Sequence, residues 1–187
     1  MGRWEPGARN RLAIAALELF IERGYEATTV ADIAARAGLT ERTFYRQFAD
    51  KREVLFGDPE SYRATFTDAI TAAPPEATPM QALAAALTAA GGYFVGRHPY
   101  ARQRNTVIAA NPALQERELV KRLHLTEAVA DALRSRGAHD ATAQLTAELG
   151  TVAFHQAFAR WVARDEDSDL GALALAVLDE LRAAAAA

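Results

Sequence analysis

The stretch that most constrains this chain is Thr29 to Lys51, TVADIAARAGLTERTFYRQFADK. Thr29 is placed to cap a short helix, with Asp32 three residues on as its capping-box partner. Val30, Ile33, Ala34 and Ala37 then share one helical face. Gly38 follows, where a left-handed backbone is easiest for a residue without Cβ. Leu39 plugs the turn, and Thr40 opens a second helix with the anion Glu41 in its first turn. In that helix Phe44 and Phe48 point inward, and Glu41, Arg42, Thr43, Tyr45 and Arg46 are left on the outer faces. Two short helices about a glycine turn, the second with a polar and cationic outer face, describe a helix-turn-helix.

The surroundings sharpen this. The pieces AALELFIERGYEATTV, DIAARAGLTERTFYRQF and DKREVL follow one another almost without a gap. Residues 9–56 resemble the N-terminal DNA-binding domain of the tetracycline-repressor (TetR) family of bacterial regulators. The resemblance implies an all-α chain of about nine helices. A three-helix DNA-binding domain at residues 1–56 would precede a helical effector-binding and dimerisation domain at 57–187. It also implies phosphate contacts at Tyr45, Arg46 and Lys51. Thr29 and Thr40 can offer helix amides and hydroxyls to the DNA backbone. Arg42 and Thr43 are the candidates for reading base edges.

The net charge of −3 looks wrong for a DNA binder. Its distribution resolves the conflict. Residues 1–56 hold nine Lys/Arg against eight Asp/Glu, and residues 57–187 hold twelve against sixteen. The basic character is local, with Arg42, Arg46, Lys51 and Arg52 close together, and a small patch suffices for phosphates. Arg3, Arg9 and Arg11 lie on an N-terminal arm and first helix; they are read as solvated, with reach to a phosphate as the alternative.

Elsewhere the periodicity is helical. The first helix is expected from Ala8 to Arg23, ending at Gly24. Asp50 and Glu53 form a capping pair for a helix from Lys51, and Gly57-Asp58-Pro59 breaks it, because proline suits only the first turn of a fresh helix. That break is either a plain kink or a hinge. Further helices are expected from Pro59 to Ala73, from Pro79 with an interruption at Gly91-Gly92, from Tyr100 to Ala110, from Pro112 toward Arg136, from a cap at Asp140 to Arg164, and from Leu170 to Ala184. Leu114, Leu119, Leu123, Val129 and Leu133 are the apolar positions of the long one. An acidic turn, Asp165 to Asp169, precedes the last helix.

The chemistry is that of binding. There is no Cys, which excludes a disulfide scaffold and a thiol nucleophile. No HExxH, GxSxG, GxGxxG or GxxxxGK[ST] occurs, and no histidine pair has ligand spacing, so no catalytic residue, metal or cofactor is expected. His124 and His155 are read as core or pocket histidines. No run of ~18 apolar residues suggests a membrane span, and a cytoplasmic location is expected. An effector pocket, placed by the resemblance among the middle helices, would take Tyr62, Phe66, Phe94, Val107, Phe158 and Trp161, with Arg104 and His124 as polar anchors. The effector would be small and mostly apolar. Leu145, Leu149 and Val152, with Leu170, Val177, Leu178 and Leu181, would form a homodimer seam of two helices per subunit. The expected function is a repressor released from a palindromic operator by that effector. The alternatives are a helical-bundle enzyme and a DNA binder without an effector.

Overall fold

The computed structural model describes residues 7–165 and 168–186, so Arg3 and two residues of the acidic turn lie outside the described residues. Among the described residues there are nine α-helices and no strand. They are α1 (Ala8–Arg23), α2 (Val30–Arg36), α3 (Glu41–Gln47), α4 (Pro59–Ala72), α5 (Pro79–Tyr93), α6 (His98–Ala109), α7 (Pro112–Ser135), α8 (Asp140–Val162) and α9 (Leu170–Ala186). A 3-10 turn, Lys51–Leu55, stands between α3 and α4.

The chain divides into two compact units. The first is Met1–Asp58 with Arg102–Glu118, and the second is Pro59–Ala101 with Leu119–Ala187. The end of α6 and the start of α7 therefore belong with the N-terminal segment.

In the first unit, α1 buries Leu12, Ala16, Leu19 and Phe20, against which α2 sets Ile33 and α3 sets Phe44. The expected capping box at α2 is complete, with Thr29 Oγ1 accepting from the Asp32 amide and Asp32 accepting from the Thr29 amide. At the far end of α2 the Leu39 amide reaches Ala34 O and the Gly38 amide reaches Ala35 O, a Schellman pair that closes the helix. It needs the left-handed φ of 65° that Gly38 adopts. After α3, Asp50 caps only the short 3-10 turn, rather than a full helix from Lys51. Gly57, at φ 62°, turns the chain before Pro59 starts α4.

In the second unit α5 is the central helix and packs on α4, α8 and α9. A capping box between Thr78 and Gln81 starts it, with Pro79 at its first position. Gly91 and Gly92 do not interrupt it; α5 runs on to Tyr93. A Cβ on Gly91 would lie 2.2 Å from the Gly171 amide nitrogen, so the first glycine lets α5 and α9 touch backbone to backbone. Along α8, Ala143, Ala147, Gly150, Ala153 and Ala157 are buried, a row of small side chains that permits close helix approach. Two starts differ from the sequence reading. His139 and not Asp140 is the N-cap of α8. Helix α6 begins at His98, since Pro99 in a first turn gives up only an amide that has no helical partner.

Candidate functional site

Helix α3 divides its residues sharply. Phe44 is fully buried, Phe48 nearly so, and their rings lie 5.3 Å apart. Tyr45 is 57% exposed, and Glu41, Arg42 and Arg46 are exposed as well. Thr40 caps the helix by accepting from the Thr43 amide at 3.2 Å, and the two hydroxyls share a hydrogen bond at 3.1 Å. Thr29 and Thr40 are both exposed caps, the first also donating its hydroxyl to Asp32 at 2.6 Å. The Thr43 side chain is half-buried.

The cations around this face sort themselves by what they touch. Arg36 grips Glu22 with both nitrogens and Glu18 with one, tying α2 to α1. The hydrogen bond from Arg36 holds the Glu22 carboxyl below its ordinary value. Arg11 donates to Ala37 O at 2.5 Å. Arg9 donates to Gln47 O at 2.5 Å and to Gly57 O, and its guanidinium stacks 4.3 Å from the centroid of the Phe48 ring. Arg9 and Arg11 are thus bound inward rather than solvated. Arg52 pairs with Asp50. Lys51 donates to Tyr25 O at 2.8 Å and Thr28 O at 3.0 Å and lies over the Tyr25 ring. Among the described residues, Arg42 and Arg46 enter no hydrogen bond or ion pair.

In the second unit Tyr62, Phe66, Phe94, Phe158 and Trp161 form one aromatic cluster, joined by Tyr93 and Phe154. Phe154 was not singled out in the sequence, although it lies four residues before Phe158 on the same helical face. Phe94 is central, with ring contacts to Tyr62, Tyr93, Phe154, Phe158 and Trp161. An open cleft of about 470 Å³ adjoins it, lined in part by Thr88, Phe94, Trp161 and Asp169. The buried histidine of this unit is His98, which was not foreseen; its ring meets Trp161 edge-on at 4.6 Å and its Nε2 pairs with Trp161 O at 3.1 Å.

The other expected pocket residues are not members of this cluster. Arg104 and Val107 belong to the first unit. The Arg104 guanidinium donates to Leu55 O and Glu118 and covers the Phe56 ring. His124 is exposed on α7, and His155 on α8. Leu119 and Leu123 are exposed as well, while Leu114, Leu125, Val129 and Leu133 of α7 are buried.

The expected seam residues divide by helix. On α8, Leu145 is 61% and Val152 46% exposed, and Leu149 between them is half-buried. On α9, Leu170, Val177 and Leu178 are at most 3% exposed, because this face of α9 turns onto α5 and α8; Leu181 is half-buried at its edge.

Comparisons with known proteins bear on both units. The chain is 39% identical over 84 residues to the HTH-type transcriptional regulator TcmR of Streptomyces glaucescens, covering 45% of this chain and 37% of that protein. It is 30% identical over 115 residues to the transcriptional regulator MftR of Mycobacterium tuberculosis, covering 62% of this chain and 58% of that one. The matches thus span well under two thirds of either relative. The structure superposes on the transcriptional regulator FadR of Bacillus subtilis, solved with stearoyl-CoA, with a TM-score of 0.58 at 23% identity over 92% of this chain and 96% of that one. The model for bacterial regulatory proteins of the tetR family matches residues 14–56. The model for the MftR C-terminal domain matches residues 77–186, more than half of the chain. With a helix-turn-helix in the first match and an all-helical second one, the chain belongs to the TetR family of bacterial regulatory proteins.

Proposed function

We propose that this chain is a ligand-responsive transcriptional regulator, a repressor that leaves a palindromic operator when a small, mostly apolar effector binds. The observation that carries the reading is the division of α3. Its aromatic side anchors it in the core, and its outer side leaves Arg42 and Arg46 without protein partners. An exposed, unpaired guanidinium can bind a guanine edge with two hydrogen bonds or a phosphate with one or two. Arg42, near the start of the helix, is the base reader with Thr43; Tyr45 and Arg46 hold phosphates. Glu41 flanks this face, and the exposed caps Thr29 and Thr40 add backbone contacts. Two ammonium protons of Lys51 are already used, so at most one remains for a phosphate.

The working unit is proposed to be a cytoplasmic homodimer, since a two-fold operator with half-sites about 34–36 Å apart needs two heads. The outward leucine and valine of α8, Leu145 and Val152, with Leu149, support a seam on that helix. The effector is assigned to the second unit, where the cleft beside Phe94 and Trp161 offers apolar surface together with the polar groups of Thr88, Ser168 and Asp169. FadR, which shares the fold, was solved with stearoyl-CoA, a ligand with a long apolar acyl chain. By linkage the effector can release DNA only as far as it prefers the DNA-free state. The enzyme alternative is weakened by His98, whose ring is buried against Trp161 and engaged with a backbone carbonyl.

Selection from a random duplex pool, followed by binding measurements on the recovered sequence, tests this reading. Recovery of a palindromic sequence supports it, and a pool that shows no enrichment overturns it.

A further inference from the structure

We propose that Arg9 is the positioning residue of the recognition helix, tying its C-terminal end to the turn by which the chain leaves the DNA-binding head. This rests on the reading of α3 as the helix that enters the groove. Arg9 sits in the first turn of α1 and has no hydrogen bond to the outer face of α3 or to its N-cap, Thr40. Its Nη1 donates to Gln47 O, the last residue of α3, and its Nη2 to Gly57 O. Its plane stacks on Phe48, the C-cap of the same helix. The Nε is buried and has no partner among the described residues. Leaving such a donor dry is unfavourable, so the geometry is maintained by the two carbonyl bonds and the ring.

The chemistry suits the task. A cation at a helix C-terminus meets the negative end of the dipole and an orphan carbonyl. Only a guanidinium has the planar fork that can serve two carbonyls at once while stacking on an aromatic face. An ammonium in its place cannot do all three. The two carbonyls it joins are functionally distinct. One ends the helix that reads DNA, and the other belongs to Gly57, which adopts a left-handed φ of 62° two residues before α4. A displacement of the Gly57 turn is therefore passed to α3 through one side chain.

The test uses the full chain, the operator recovered by selection and a scrambled duplex. Arg9→Ala and Arg9→Lys should each lower operator affinity by about tenfold, the scale of losing a charge-assisted hydrogen bond, with scrambled-duplex affinity and its salt dependence unchanged. If Arg9 instead held a phosphate, Arg9→Ala would weaken both duplexes alike, flatten the salt slope and be rescued by Arg9→Lys. If its role were only structural, the melting temperature would fall with the operator preference intact. Either result overturns the proposal. A cycle with Gly57→Ala adds a second reading: Gly57→Ala should weaken operator binding in the parent chain and have little further effect beside Arg9→Ala. Simple additivity contradicts the linkage. A parent chain that fails to discriminate operator from scrambled DNA would instead refute the DNA-binding reading itself.

Discussion

Gly91 and Gly171 meet backbone to backbone where α5 crosses α9, with 2.2 Å between the amide nitrogen of the second and the place a Cβ would occupy on the first. Backbone on both sides cannot yield as a side chain would. Gly91→Ala should therefore lower stability by about 1–3 kcal/mol despite alanine's better helix propensity. At Gly150 a Cβ would meet the Leu83 side chain, whose Cδ1 is 2.3 Å away and whose rotamer can shift. Gly150→Ala should be milder. Chemical denaturation of both variants checks the order, and a more damaging Gly150→Ala would contradict this packing.

Acid should loosen the head through its α1–α2 contact. The Arg36 hydrogen bond holds Glu22 below its ordinary 4.5, and the Thr29 hydroxyl and amide hold Asp32 below its ordinary 3.8. A carboxyl depressed in the folded state adds stability that is present above its unfolded value and lost as pH falls through the folded one. The melting temperature should thus decline as pH drops below 4.5 and then 3.8, and Arg36→Ala should flatten the first part of that decline. Both carboxyls are exposed, so the effect is modest. An equal decline in the variant would show that Arg36 is not its source.

How much of this was legible follows from the range of each interaction. The Thr29 capping box, the Gly38 turn and the restart at Pro59 are local, and residue type at fixed spacing reveals them. Leu145 and Leu178 show the opposite. Each lies on an apolar stripe of helical period, yet one points outward and the other is buried, because a period locates a face without saying what the face meets. The sequence alone reads Arg9 and Arg11 as solvated, Lys51 as a phosphate contact and Arg104 as an effector anchor. Their carbonyl partners stand 23 to 49 residues away, and no spacing rule reaches that far. The same reasoning explains why Tyr62 and Trp161 were found and His98 was not: aromatic groups cluster by type, whereas a lone buried imidazole leaves no pattern.

Leu145→Glu with Val152→Glu should abolish the proposed dimer and leave the monomer folded, since both side chains are exposed on the single chain. Leu178→Glu should unfold it instead, because its side chain is only 3% exposed and a charge there has no partner. Sedimentation velocity and circular dichroism separate the two outcomes. A dimer that survives the α8 substitutions would move the seam elsewhere.

Phe94 stands between the aromatic cluster and the cleft. For an effector found by thermal-shift screening, saturation at a hundredfold over Kd should stabilise the parent chain by about 2.7 kcal/mol. Phe94→Trp should remove that shift by filling the space, with operator affinity within about twofold of the parent. Undiminished ligand binding would place the effector elsewhere.

The central claim is that α3 reads DNA through Arg42 while Arg46 holds a phosphate. The measurement that tests it most directly is binding of the parent chain, Arg42→Ala and Arg46→Ala to operator and single-base variants across a salt series. Arg42→Ala should lose about 1–3 kcal/mol of discrimination at one base pair and keep the rest. Arg46→Ala should weaken all duplexes alike and reduce the salt slope by about one. An operator preference that Arg42→Ala leaves unchanged at every position would contradict the account.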